Sequence, residues 1–254
     1  MIGLVFLSPG PAALVYGLPE AGNGAGLVSF PASRMMHGVA TDEGPVPAGF
    51  VLAGFVAGSP WEPPREKWTA TLPGSVPTVS DCLADLLPAD RDPLVEPWQH
   101  SMFEPWHRSV RYAVDAVRHA PAGSDPIHVL SMSVPATAAA ELAAMLEQWI
   151  GHLPHPVRVN LAHRAAPPPG TVLGFEVLGF GAGRFHTWLC YDVHSQAHDL
   201  LGIRPGDSGL LAELHDAQRV ADMANSKRGT EEGTPEEITW FPALLTLHDV
   251  PARG

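Results

Sequence analysis

The chain has 254 residues, 45% of them hydrophobic, and 27 acidic against 15 basic side chains give it a net charge of −12. That length buries one large core or two modest ones without covalent staples, and the negative balance disfavours nucleic acid and anionic membrane surfaces as partners. Cys82 and Cys190 are the only cysteines, too few for a disulfide framework; this fits a reducing, cytoplasmic setting and leaves one long-range bridge between them open.

Ile2 to Leu7 reads as a buried strand. The apolar start has no basic leader region, and Pro9 and Pro11 interrupt it short of the roughly 20 residues a spanning helix needs, so no membrane association is expected. GNGAG at Gly22–Gly26 is followed by LVSF, a strand pattern, where a phosphate loop requires a helix. A strand is predicted over Phe50–Val56, then the irregular WEPPREKW with its paired prolines. Ser80 is placed to cap a short helix, DCLADLL. EPW occurs at Glu96 and again at Glu104, and apolar spacing through Trp106, Val110, Ala113, Val114 and Val117 predicts a helix from about Pro105 to His119.

PIHVLSMSV, ending at Val134, reads as a strand, and the alanine-rich run Thr137–Ile150 as a helix of high propensity. The alternation Val157, Val159, Leu161 predicts another strand, and AAPPPG a stiff linker. GFEVLGFGAG at Gly174–Gly183 predicts a strand and glycine turn, followed by a helix from Thr187 to about Leu201 that stops at Gly202. Its core stripe is expected to be Leu189, Val193, Ala197, Leu200 and Leu201. GLLAEL is expected as a strand, Asp216 as the cap of the helix AQRVADMAN, and ALLTLHDV as the last strand.

The two halves repeat an order. GFVLAGFVAG at Gly49–Gly58 matches GFEVLGFGAG at Gly174–Gly183 in glycine, phenylalanine and alanine positions, a helix follows in each half, and each closes on a related strand, HVLSMSVP or ALLTLHDVP. The predicted fold class is therefore α/β (α+β): two related halves with mixed sheets, residues 1–134 and 135–254, arising by tandem duplication and packing with pseudo-two-fold symmetry, as one globule or two. The groove between such halves is the expected ligand or partner surface.

Chemically capable side chains concentrate between Gly174 and Gly202. Arg184, His186, Trp188, Asp192 and His194 are the candidate binding residues. Cys190 near a helix start with His186 as base is the candidate nucleophilic pair, for a hydrolase or transferase. Cys190, His194 and His198 follow at steps of four and are the candidate metal ligands, although each step drifts by about 40° round a helix, so a site needs a further ligand from elsewhere in the fold.

GDSG at Gly206–Gly209 is similar to the nucleophile stretch of trypsin-like serine proteases, but Leu210 stands where a further glycine belongs and the predicted helices are foreign to those all-β enzymes. No GxSxG elbow occurs. With no complete catalytic set and no cofactor motif, the expectation is a binding or regulatory protein acting through a protein partner, as acidic immunity proteins do; the alternative is an enzyme built on Cys190 and His186 or on a metal held near Cys190 and His194.

Overall fold

Five strands build one sheet in the computed structural model, which describes residues 48–63, 74–87, 105–120, 127–151, 155–231 and 233–250, all within the unit Ala40–Gly254. The strands are β1 (Phe50–Gly58), β2 (His128–Pro135), β3 (Thr171–Gly181), β4 (Arg184–Thr187) and β5 (Thr239–His248), in the order β1-β2-β5-β3-β4. Every pairing is antiparallel, which corrects the mixed sheets expected for an α/β chain. The long connection from β1 delivers β2 reversed beside it, whereas those from β2 to β3 and from β4 to β5 deliver the next strand parallel to the last, with one antiparallel strand lying between.

Five helices accompany the sheet among the described residues: α1 (Val110–His119), α2 (Ala136–Ile150), α3 (Pro156–His163), α4 (Val193–Leu201) and α5 (Leu214–Ser226). Side chains alternate between faces along a strand, and the core divides accordingly. Leu178, Phe180, Phe241, Ala243 and Leu245 join Leu142, Leu146, Val157 and Leu161 of α2 and α3 on one side. Phe175, Val177, Trp240 and Leu244 join Val193, Ala197, Ala217, Val220 and Ala221 of α4 and α5 on the other. There α1 continues the layer, setting Ala113, Val114 and Val117 against Leu52, Phe55 and Ala57 of β1. Mixed α and β architecture thus stands, with helices on both faces of a single sheet. No helix among the described residues is long and apolar enough to cross a membrane.

Strands from both predicted halves share this sheet, because β2 hydrogen-bonds β5. The registers do not follow the repeated motifs. Phe50 pairs with Pro135, the last residue of HVLSMSVP, whereas Phe175 pairs with Leu244, near the start of ALLTLHDVP.

Local structure departs from the sequence expectation at several points. Residues 157–161 are helical: Pro156 occupies the first turn and the His155 side chain accepts from the Val157 amide, a start signal that outweighs a three-residue alternation. GLLAEL contributes only a bridge, Leu211 to Phe175. Residues 81–87 make a single turn; Ser80 Oγ does accept from the Cys82 amide at 3.2 Å, and Ala84 bonds back to Ser80, but no helix follows. In α5 the cap position belongs to Glu213, and Asp216 lies in the first turn. The strand expected at 2–7, the glycine run at 22–26 and both EPW motifs at Glu96 and Glu104 lie outside the described residues, apart from Pro105 and Trp106.

Both outer strands are covered. Along β1, Leu52 donates to Ala165, Phe55 and His107 exchange two backbone bonds, Leu87 donates to Ala57, and Asn160 Nδ2 donates to the Ala53 carbonyl. On β4, Ser80 Oγ donates to the Phe185 carbonyl at 3.1 Å.

Candidate functional site

The strand β3, the Ala182–Gly183 turn and β4 bring His186 to the sheet edge. Ala182 and Gly183 both take positive φ, 50° and 75°, as a two-residue hairpin requires. On β4 the side chains alternate, so Phe185 enters the core beside Trp106 at a ring separation of 4.8 Å and Phe180 at 4.9 Å, while His186 leaves on the other face. Past Thr187 the chain does not enter a helix at once. Cys190–Asp192 forms a 3-10 turn, Tyr191 and Asp192 take left-handed φ of 57° and 58°, and α4 starts only at Val193. It ends as expected at Gly202, whose φ of 68° lets the amides of Gly202 and Ile203 reach back to His198 and Ala197.

That break corrects the helix expected from Thr187 and removes the four-residue register. His186 sits on a strand, Cys190 on a 3-10 turn, and His194 and His198 on α4. Leu189, Val193 and Ala197 are buried as expected, but Leu200 is 57% exposed. His194 is buried, with its ring edge-on to Trp188 and Nε2 at 3.2 Å from Ser195 Oγ. His198 engages Asp199 and Arg204. Neither is brought to Cys190. Trp188 is wholly buried, so it serves the core; Arg184 and Asp192 are exposed.

The residue that meets Cys190 and His186 is Cys82. Cys82 Sγ, His186 Nδ1 and Cys190 Sγ all lie within 4.8 Å of one another, and Cys82 Sγ is 3.2 Å from His186 Nδ1. Cys82 is exposed, Cys190 half-buried and His186 buried. The sequence places Cys82 in a short helix and leaves a long-range bridge to Cys190 open, but it does not count Cys82 among the candidate site residues; the meeting of the chain's only two cysteines is a tertiary fact.

A hydrogen-bond ladder sets the turn that carries Cys82. Buried Thr78 donates from Oγ1 to Glu176 Oε1 at 2.8 Å, the Ser80 amide donates to Thr78 Oγ1, and the Cys82 amide donates to Ser80 Oγ. Ser80 Oγ in turn bonds the carbonyl of Phe185, the residue before His186. One set of bonds therefore fixes both sides of the cluster.

The electrostatics favour a charged sulfur at position 82. A hydrogen bond with the Cys190 thiol, then hydrogen bonding and charge from His186, hold Cys82 down at about 4, against the effect of burial. Cys190 is driven the opposite way, first by Cys82 and then by burial, and stays a thiol. Burial lowers His186, but the Cys82 sulfur, by hydrogen bond and charge, more than reverses this. Burial and the Cys82 charge raise Asp81 to about 6, opposed by Arg184 and His186. Beneath the cluster, Glu176 is raised to about 7 by burial, against the pull of the Thr187 and Thr78 hydroxyls.

Two sulfurs and one imidazole nitrogen form a soft donor set suited to a thiophilic ion, and equally place one exposed thiol between a base and a second thiol. No family model, curated protein or solved structure matches the chain.

Proposed function

We propose that Cys82, His186 and Cys190 bind a thiophilic divalent ion, zinc first, and that the protein works through that centre. The carrying observation is that the chain's only two cysteines converge on one imidazole nitrogen, all three donor atoms within 4.8 Å. Zinc takes sulfur at about 2.3 Å and nitrogen at about 2.0–2.1 Å, so donors round a tetrahedral ion stand roughly 3.5–4 Å apart, and these three need only small side-chain adjustments. Three protein ligands leave a fourth position for water, substrate or a partner's donor group, the pattern of catalytic rather than structural zinc. Exposed Cys82 puts that position at the surface.

Metal analysis after zinc loading and dialysis tests this. About one equivalent per chain is expected, lost in Cys82→Ser and in Cys190→Ser; a content near zero in the parent chain overturns it.

A second reading has its own observation. Cys82 is exposed and its sulfur lies 3.2 Å from His186 Nδ1, the arrangement of a cysteine nucleophile and its base in a hydrolase or transferase. Selective alkylation of Cys82 over Cys190 at neutral pH, in metal-free protein, supports it; equal, slow labelling of both counts against it. The partner-binding role rests on the charge of −12, and a partner supplying the fourth donor joins it to the metal centre. Tandem duplication is supported by strand order, since β1 beside β2 and β3 beside β5 flank one seam, each closing strand preceded by a helix; the unequal registers speak against it.

A further inference from the structure

We propose that Cys82 and Cys190, when free of metal, close into a reversible disulfide at the expense of a hydroperoxide, so that the centre alternates between a metal-binding dithiol and an oxidised form lacking both sulfur ligands. The consequence for metal rests on the reading above; the sulfur chemistry does not. Three observations carry it: the sulfurs lie within 4.8 Å of each other, neither belongs to the interior of a helix or strand, and their exposures differ.

A disulfide needs its sulfurs about 2.05 Å apart, so one or both must move. Cys82 lies on the isolated turn after Ser80, and Cys190 opens a 3-10 turn that runs into two left-handed residues. Side-chain rotation and small adjustments of two turns bring the sulfurs together without breaking a regular element. The difference in exposure sets the order of events, since exposed Cys82 meets a soluble oxidant first and half-buried Cys190 waits behind it.

The Cys82 sulfur attacks the terminal, hydrogen-bearing oxygen of the hydroperoxide. The S–O bond forms, the O–O bond breaks, and the leaving alkoxide takes the proton that Cys82 shares with His186, departing as an alcohol, or as water from hydrogen peroxide. The Cys190 sulfur then attacks the sulfur of the Cys82 sulfenic acid. The S–S bond forms, the S–O bond breaks, and hydroxide leaves with the Cys190 proton as water. Each sulfur gives up one electron and the peroxide accepts both. A dithiol reductant restores the pair by exchange.

The experiment uses the full chain, metal-stripped and reduced, with equimolar hydrogen peroxide, followed by alkylation and intact mass under non-reducing conditions. An intramolecular disulfide is expected: the mass falls by two hydrogens, no thiol accepts alkylating agent, and dithiothreitol reverses both. In Cys190→Ser the reaction is expected to stop at a sulfenic acid on Cys82 that dimedone traps. Sulfinic acid at Cys82, disulfide-linked dimers, or two thiols still free at that dose overturn the proposal. A parallel arm loads zinc before peroxide and expects oxidation slowed by about tenfold or more. Unchanged oxidation of zinc-loaded chains overturns the alternation. Failure of zinc to bind the reduced chain, with the disulfide still forming, refutes the metal reading alone.

Discussion

Cys82 Sγ and His186 Nδ1 stand 3.2 Å apart although 104 positions separate the two residues in the sequence. A turn of no regular structure and a four-residue edge strand meet there. Five hydrogen bonds hold them in place: Thr78 to Glu176, the Ser80 amide to Thr78, the Cys82 and Ala84 amides to Ser80, and Ser80 to the Phe185 carbonyl.

Zinc at a hundredfold excess over its dissociation constant is expected to stabilise the fold by about 2.7 kcal/mol, which raises Tm by roughly 5–10 °C for a chain of this size. Thermal melts with and without zinc measure it. His186→Ala is expected to erase the difference while leaving the metal-free Tm within a few degrees; a full zinc response in that variant removes His186 as a ligand.

Ser80→Ala deletes one acceptor and one donor in the ladder, with an expected cost of about 1–3 kcal/mol because the Phe185 carbonyl and the Cys82 amide lose a buried partner. Zinc affinity is expected to fall by about 10–100-fold, as when an outer-shell partner of a metal ligand is removed, and Ser80→Thr to recover most of it. Urea titration and competitive zinc chelation read the two effects separately.

Glu176 is wholly buried and raised from 4.5 to about 7. Because the folded value lies above the unfolded one, the contribution is fully present below pH 4.5, declines as pH rises, and is gone above about 7, where an ionised buried carboxylate costs on the order of 3 kcal/mol. Glu176→Gln is therefore expected to be more stable than the parent at pH 8 and to lose this advantage towards pH 4.5. Equal stability differences at both pH values refute the assignment.

His155 behaves with the opposite sign. Burial, reinforced by Arg158, lowers it to about 3, so the unfolded chain takes a proton near pH 6.5 that the folded chain refuses, and stability falls as pH drops from 6.5 towards 3, by up to about 5 kcal/mol. His155→Asn keeps an acceptor for the Val157 amide without titrating. Its urea midpoint is expected to decline less between pH 6.5 and 4.5 than that of the parent.

Phe185→Ala empties the ring cluster of Trp106, Phe180 and Phe241 and is expected to cost about 3–5 kcal/mol, with Phe185→Leu losing markedly less. Urea midpoints compare them. Since the same residue holds the carbonyl that receives Ser80, zinc affinity should follow stability in this pair.

Elements with a long period were legible in the sequence. β1, β3, β5 and α2 fall where runs of apolar, β-compatible residues or an alanine-rich segment placed them, and Gly202 ends α4 as its conformational freedom suggested. Short patterns misled: Val157, Val159 and Leu161 alternate, yet Pro156 and His155 start a helix there. His186 and Cys190 were legible as chemically capable, but their relation to His194 and His198 assumed one unbroken helix, which the left-handed pair Tyr191 and Asp192 interrupts. For Cys82 the sequence offered only an open long-range bridge to Cys190 and no relation to His186, because no local period encodes a contact made through the ladder from Glu176.

The covering of β1 by Ala165, His107, Leu87 and Asn160, and of β4 by Ser80, bears on how the protein behaves at high concentration. A bare outer strand offers its unpaired amides and carbonyls to any neighbouring molecule, and self-association spreads from there. Here much of that invitation is withdrawn by the chain's own loops. The turn that presents Cys82 is one of those guards, so loosening it to free the thiol also uncovers an edge that another copy can join.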